Sequence, residues 1–234
     1  MIYYGEYDIL IWLNTILLTG AVILLGIIKK NKQLFLFGLF FILSFLYFFT
    51  QYINTEYHSI YSRLDSYIPF MPIFILPYIV WYVYVPLPMI YTCFKNKSLF
   101  FKQITALFLG AAISIIIFII YPTKIDFRPS VDGGGFLNYL CRLIYANDKP
   151  VNVFPSLHAY EATIIHLITF KNTEYKNLYL LRACSAVIMV FICLSTVFVK
   201  QHSVIDLFAG CILAVLVYFV VNFIFDSKFK RKVI

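Results

Sequence analysis

The chain has 234 residues, of which 62% are hydrophobic, 20% are aromatic and only 13% are charged. A soluble domain is about half apolar and about a quarter charged, so this composition excludes a soluble domain and indicates an integral membrane protein. The net charge of +8 would suggest a nucleic-acid partner in a soluble chain, but basic and aromatic residues are not interleaved here on a polar background. We therefore expect no nucleic-acid partner.

Long apolar runs predict about seven transmembrane helices, each near the length that crosses a hydrocarbon core. They lie near residues 9–28, 34–51, 70–93, 103–121, 155–170, 178–199 and 203–225. The third run contains several prolines, so we expect it to be kinked or partly unwound. The fifth is the weakest, because it contains His158, Glu161 and His166. The predicted fold class is all-α, a polytopic membrane helical bundle.

The distribution of charge predicts the orientation of this bundle. With the N-terminus outside, most Lys and Arg residues fall in inner segments, as cytoplasmic loops prefer, and most acidic residues fall outside. The predicted topology is therefore N-out and C-in. The long polar connection at 122–154 then lies on the outer side, and connections of that length are usually functional or mobile.

Under this topology, three polar clusters share the outer face, provided that the fifth run crosses the membrane. The first, "YPTKIDFRPS", follows the fourth run; the second, "FPSLHAYEA", opens the fifth; the third, "KQHSVIDLFAG", joins the last two. Their ionisable and hydroxyl side chains include Lys124, Asp126, Arg128, Ser156, His158, Glu161, Lys200, His202 and Asp206.

The third cluster has the pattern of an activated nucleophile. His202 and Asp206 are four residues apart, so on a helix they lie on one face within side-chain reach. A carboxylate beside an imidazole fixes its tautomer and stabilises the positive charge that grows when the other ring nitrogen attacks. His202 is therefore a candidate nucleophile, and Lys200 suits an anionic substrate as a compact point charge.

The second cluster supplies another imidazole, His158, at a helix start that Ser156 is suited to cap. A helix N-terminus favours an anion, and the planar fork of Arg128 matches phosphate oxygens. Two histidines among cations are typical of phosphoryl transfer without a metal.

Other interpretations of these residues remain open. A lone intramembrane histidine such as His166 is often a hydrogen-bond partner inside a bundle, and Lys124 fits an ordinary solvated loop charge. A two-histidine, one-carboxylate metal set is also conceivable, but Arg128 and Lys200 would repel the cation. We expect neither a metal nor another cofactor.

"RPS" after a span, "PSLH" opening the next and "KQHSVID" before the last resemble the three signature motifs of the type 2 phosphatidic acid phosphatase superfamily. The resemblance implies a six-helix membrane core preceded here by one further helix, so the expected division is residues 1–33 and 34–234. It also implies that His202 attacks phosphorus to give a phosphohistidine, that Asp206 orients it, and that His158 protonates the leaving group. The implied phosphate ligands are Arg128, Ser156, Lys200 and Lys124.

The motifs depart from the family pattern at three positions. Tyr121 stands where a lysine is usual, so Lys124 is the nearest substitute; Leu157 stands where PSGH has glycine; and Thr196 stands where an arginine precedes the third motif. Lys200 is a candidate replacement for that arginine. The combination "PSLH" with "KQH" resembles the branch that includes inositolphosphoceramide synthases.

The sequence thus predicts a metal-independent lipid phosphatase of the cell membrane, acting at the outer leaflet on a polyprenyl diphosphate, phosphatidic acid or phosphatidylglycerophosphate. The alternative is a lipid phosphotransferase that uses the same site with an alcohol as acceptor. A transporter or lipid-binding membrane protein is a distant third, because no pseudo-symmetric halves are visible. The expected partners are the lipid substrate and membrane lipids, and the sequence does not indicate an oligomeric state.

Overall fold

The computed structural model describes residues 21–54, 56–170 and 179–233, and these are mainly helical. The helices are α1 (Lys32–Ile53), α2 (Arg63–Tyr67), α3 (Ile75–Tyr84), α4 (Pro86–Lys95), α5 (Lys97–Ile120), α6 (Phe136–Asn147), α7 (Leu157–Ile165), α8 (Tyr179–Phe198) and α9 (Val204–Val233). A 3-10 turn at Pro72–Phe74 leads into α3, and a π-helical segment at His166–Phe170 continues α7. Two short strands, β1 (His58–Ser59) and β2 (Thr123–Lys124), pair in parallel.

Four stretches of the described residues are long and apolar enough to cross a membrane: Pro72–Lys95, Lys97–Ile120, Tyr179–Phe198 and Val204–Asp226. The prediction of an all-α polytopic bundle is confirmed. The count of seven spans, the N-out orientation and the division at residue 34 stay predictions. Most of the predicted first span lies outside the described residues, although residues 21–28 are helical.

The proline-rich third run is interrupted, as expected. Its helix is divided at Val85, immediately before Pro86, a residue that has no N–H to donate to the preceding turn. Val85 keeps right-handed helical dihedral angles, and its N–H donates to the Trp81 carbonyl at 3.1 Å. The interruption is therefore confined to one residue, and the helical direction continues into α4.

The bounds of two other runs differ from the prediction for local reasons. α5 begins at Lys97, earlier than the predicted 103, because the Asn96 side chain caps it by accepting from the Leu99 N–H at 2.9 Å. The predicted run 155–170 is divided into α7 and the π-helical segment, and Ser156 caps α7 as expected.

The close approach of α9 to the start of α7 brings the second and third polar clusters together. A Cβ on Gly210 would lie 2.4 Å from the Ser156 carbonyl oxygen, so a larger residue would push the two helices apart. The Ser156 N–H also donates to the Asp206 carbonyl at 3.0 Å. Apolar side chains fill the bundle beneath this junction, among them the fully buried Phe100, Leu107 and Ile164.

The segment 122–154, predicted as a polar connection, contains a helix. Leu137, Leu140, Cys141 and Ile144 form one apolar face of α6, which packs in a cluster with Val199. Their spacing of i, i+3, i+4 and i+7 is the pattern of an amphipathic helix. α6 thereby places the segment that follows it, including Asp148, beside the third polar cluster.

Candidate functional site

The three polar clusters predicted to share one face lie together at one end of the bundle. The Arg128 guanidinium of the first cluster donates to the Gln201 side chain of the third. The Val153 carbonyl, just before the second cluster, lies 3.0 Å from the His202 ring. With the Ser156 bond to the Asp206 carbonyl, these contacts join all three clusters into one site.

The geometry around His202 fits a nucleophile. Its Nδ1 atom lies 3.0 Å from the Val153 carbonyl oxygen, and the residue is only 7% exposed. Because a carbonyl oxygen only accepts hydrogen bonds, Nδ1 carries the proton in the neutral ring, which leaves the Nε2 lone pair for attack. The hydrogen bond thus selects the tautomer that nucleophilic catalysis needs.

Asp206 lies beside His202 at the start of α9. Its Oδ2 atom is 3.6 Å from His202 Nδ1, within the range of an ion pair but beyond a hydrogen bond. The same oxygen accepts from the Ser203 N–H at 2.8 Å, and Oδ1 has no hydrogen-bond partner among the described residues. The Val153 carbonyl is therefore the closer orienting partner of His202, and Asp206 places a buried carboxylate next to it.

His158 faces His202 from the start of α7. Its ring lies against two aromatic rings, with centroid distances of 4.5 Å to Tyr78 and 4.3 Å to Trp81. The centroid of the His202 ring is 6.2 Å away, close enough for one small group to contact both imidazoles. The aromatic rings therefore hold His158 in a fixed orientation opposite the candidate nucleophile.

Arg128 reaches the site from the first cluster. One terminal nitrogen donates to the Asp148 carbonyl at 2.9 Å and the other to Gln201 Oε1, while the guanidinium stacks 4.4 Å from the centroid of the Tyr145 ring. Burial lowers the pKa of Arg128, and the carboxylate of Asp148 opposes that shift. A guanidinium remains charged in proteins, so Arg128 brings a fixed positive charge to the site.

Six residues form a closed ring of neighbours, which we call the polar ring. In order they are His202, His158, Tyr78, Asp148, Arg128 and Gln201, which is next to His202 in the chain. Tyr78 joins the ring through its hydroxyl, which donates to Asp148 Oδ2 at 3.2 Å.

Three buried nitrogens on the polar ring have no hydrogen-bond partner within the described part of the chain: Arg128 Nε, Gln201 Nε2 and His158 Nε2. Buried polar groups in proteins are nearly always hydrogen-bonded. Three such atoms on neighbouring side chains are therefore able to bond water or a small polar ligand.

Two predicted phosphate ligands occupy different positions relative to this ring. Ser156 is fully buried at the start of α7, where its Oγ accepts from the Ala159 N–H at 3.4 Å. Lys124 instead pairs with Asp126 at 2.9 Å, and both side chains are well exposed. The hydrogen bond from Lys124 lowers the pKa of Asp126.

The ammonium group of Lys200 is hydrogen-bonded to the backbone near the end of α2. Its Nζ donates to the carbonyls of Asp65 at 2.8 Å and Ile68 at 2.5 Å, at the end of α2. Burial lowers the pKa of Lys200. The predicted contact of Lys200 with phosphate would require these two bonds to be exchanged for bonds to the substrate.

Sequence reasoning missed Asp65, which holds the loop that carries His202. Asp65 is 3% exposed and accepts from the Ser203 hydroxyl at 2.6 Å and the Val204 N–H at 2.9 Å. The Ser62 N–H donates to the same carboxylate at 2.7 Å, which completes a capping box on α2. The pattern Ser-x-x-Asp at 62–65 was the available signal.

The other missed residues gave no local signal. Val153 acts through its backbone carbonyl, which any residue type supplies. Tyr78, Asp148 and Gln201 come from three separate segments and meet only in the folded chain.

Comparison with known proteins identifies one family resemblance. A family model described as the PAP2 superfamily matches residues 133–230, a stretch that includes His158, His202 and Asp206 but begins after Arg128. The predicted resemblance to that superfamily is confirmed over this stretch, and it supports an enzyme of the phosphatase type, with phosphoryl-transfer chemistry, in general. No curated protein and no solved structure matches the chain.

Proposed function

We propose that this chain, which resembles the PAP2 superfamily over residues 133–230, is a metal-independent membrane phosphatase that hydrolyses a lipid phosphate or diphosphate. The observation that carries the proposal is the pair of facing imidazoles. His202 has Nδ1 bonded to the Val153 carbonyl, and the centroid of the neighbouring His158 ring lies 6.2 Å from that of His202. This arrangement supplies a nucleophile and an acid from the chain's own side chains.

In the first step, His202 Nε2 attacks phosphorus and forms an N–P bond while the P–O bond to the leaving alcohol or phosphate breaks. His158 gives its proton to that leaving oxygen. The positive charge on His202 is stabilised by the nearby Asp206 carboxylate, 3.6 Å from Nδ1. The Arg128 guanidinium holds the phosphate oxygens through charge-assisted hydrogen bonds.

In the second step, water attacks the phosphohistidine. His158, now deprotonated, takes a proton from the water as the new O–P bond forms and the N–P bond breaks. Free phosphate leaves, and both imidazoles return to their starting state. One pair of histidines therefore serves both halves of the reaction, as acid in the first and base in the second.

The position of the site fits a lipid substrate. The polar ring lies at the end of the bundle where α8 ends and α9 begins, and both helices are apolar enough to span a membrane. A phosphate at this end is compatible with a tail that stays in the bilayer. We propose a polyprenyl diphosphate, phosphatidic acid or phosphatidylglycerophosphate as substrate, taken from the outer leaflet in the N-out orientation. We also propose a cell-membrane location.

The same residues support transfer to an alcohol in place of water, which would make the protein a lipid phosphotransferase. The resemblance of "PSLH" and "KQH" to the inositolphosphoceramide synthase branch favours this second function. Both functions share the phosphohistidine step and differ only in the acceptor.

The test is release of inorganic phosphate by the purified protein in detergent with EDTA present. We expect release from a prenyl diphosphate or phosphatidic acid by the wild type and none by His202→Ala. Formation of a new phosphodiester only when an alcohol is supplied would favour the phosphotransferase. Turnover by His202→Ala at the wild-type rate would refute this catalytic assignment, and no turnover with either acceptor would favour a transporter.

A further inference from the structure

We propose that Gln201 is a substrate-binding residue whose side-chain N–H groups donate to a phosphate oxygen in the polar ring. The inference rests on the proposed function and extends its site. It assigns to a neutral amide a role that the sequence assigned to Lys200.

The orientation of the Gln201 amide is fixed by its partner. Arg128 has donors and no acceptor, so its bond to this side chain must be made to Oε1. The amide nitrogen, Nε2, therefore points away from the guanidinium.

That nitrogen is buried and unpaired. Gln201 is only 2% exposed, and Nε2 has no acceptor in the described ranges of the chain. A buried donor without an acceptor destabilises the folded state, so a donor in this position gains stability when water or a ligand oxygen accepts from it.

The backbone fixes Gln201 next to the nucleophile. The N–H groups of Gln201 and His202 both donate to the Thr196 carbonyl, at 2.9 and 3.0 Å. One residue earlier, the Val199 carbonyl accepts from the Tyr145 hydroxyl at 2.6 Å. The loop that presents both side chains is therefore held in place, and a group bonded to His202 lies within the neighbourhood of Gln201.

Arg128 and Lys200 differ in whether they have a donor free for a ligand. Arg128 has an Nε atom without a partner among the residues described, whereas Lys200 donates to carbonyls at and just after the end of α2. Phosphate oxygens beside His202 would thus meet one guanidinium and one neutral amide. Together these side chains offer the phosphate an Nε–H and an amide N–H.

Two substitutions separate phosphate binding from support of Arg128. Gln201→Glu keeps an acceptor for Arg128 but replaces the donor with a carboxylate that repels phosphate. Gln201→Met removes both groups at similar size. We expect kcat/KM to fall about 10- to 100-fold in Gln201→Met, the range for a hydrogen bond to a charged group, and to fall further in Gln201→Glu.

The control is Asn138→Asp, which makes the same amide-to-carboxylate change in the first turn of α6. Among the described residues, Asn138 donates to the carbonyls of Asp132 and Gly134, and it is not a member of the polar ring. We expect wild-type activity from this variant. Thermal melting of each purified variant checks folding, and if the Glu variant does not fold, the Met variant decides by the same kcat/KM criterion.

A second readout is binding of inorganic phosphate measured by calorimetry. Weaker phosphate binding by both Gln201 variants, with unchanged melting temperatures, supports the inference. It does so even if the protein turns over no lipid, because absent turnover counts against the proposed function alone. Wild-type kcat/KM and wild-type phosphate affinity in Gln201→Glu would overturn the inference while leaving the proposed phosphatase intact.

Discussion

Two histidines of the same helical stretch, one in the middle of the bundle and one at its polar end, differ in their hydrogen bonds. His166, in the middle, has Nδ1 2.9 Å from the Ser185 hydroxyl, which in turn lies 2.7 Å from the Tyr84 hydroxyl. His158, at the end, has a buried Nε2 without a partner among the described residues. The first histidine is used in packing, and the second is available to a ligand.

A second network in the middle behaves like the first. Gln103 accepts from the Thr92 hydroxyl at 2.5 Å and donates to the Thr169 hydroxyl at 2.7 Å. Gln201, at the polar end, accepts from Arg128 through its oxygen, and its amide nitrogen has no partner in the part of the chain that the structure describes. These two networks in the middle stabilise the helix bundle, whereas the nitrogens of the polar ring are the groups that the proposed function assigns to binding and catalysis.

The largest effect we predict for a residue of the polar ring other than the nucleophile is that of His158→Ala. Loss of a general acid typically costs about 10²- to 10⁴-fold, and we expect a loss of that size with an alkyl phosphate. A p-nitrophenyl phosphate should be affected much less, because its leaving group departs without a proton. Steady-state kcat/KM with both substrates checks this, and an equal loss with both would argue against the acid role.

A smaller effect is expected from Asp206→Asn. The substitution removes the negative charge near His202, but the Val153 carbonyl still holds Nδ1 and the new amide oxygen can accept from Ser203. A carboxylate that alone fixes the histidine tautomer is worth about 10⁴-fold, so here we expect about 10- to 100-fold in kcat. Unchanged kcat in a folded variant would remove Asp206 from the mechanism.

Asp65→Ala tests the support beneath the nucleophile. It leaves the Ser203 hydroxyl and the Val204 N–H without their acceptor. A displacement of about 1 Å can cost on the order of 100-fold, and we expect about a tenfold loss of kcat with little change in KM. Asp65→Asn should recover part of the lost kcat. The control is Asp132→Ala, which removes an exposed carboxylate in the 122–154 segment. A loss confined to KM would contradict a positioning role.

The smallest effect on activity is expected from Ser185→Ala in the middle of the bundle. The substitution removes the partner shared by His166 and Tyr84, which should cost about 1–3 kcal/mol of stability. A lower melting temperature with activity within about threefold of wild type would confirm the contrast between the two regions. A large loss of kcat at an unchanged melting temperature would break it.

Much of the fold follows from local sequence. Apolar run length predicts the spans that the structure contains, and Asn96 and Ser156 cap α5 and α7 with their own side chains. α6 was missed because its apolar face is interleaved with polar residues in a segment taken as a loop. Its i, i+3, i+4, i+7 spacing was nonetheless present in the sequence.

The sequence motifs predicted the candidate catalytic residues of the site, but the residues that hold them in place were missed. His158, His202 and Arg128 stand in recognisable patterns, and the structure brings them to one end of the bundle. The direction of a long side chain does not follow from such a pattern, and Lys200 turns toward α2 because carbonyls at its C-terminal end are available there. Contacts between distant segments, such as Tyr78 with Asp148, require the tertiary fold.

The most direct test of the central claim is to locate the phosphoryl group during turnover. Protein mixed with lipid substrate labelled on phosphorus would be quenched in base, which preserves phosphohistidine, then digested and mapped by mass spectrometry. The account predicts a phosphoryl group on His202 in the wild type and none in His202→Ala. A phosphoryl group on another residue would contradict it. So would net inversion at phosphorus with a substrate made chiral by oxygen isotopes, because a phosphohistidine route has two displacements and gives net retention.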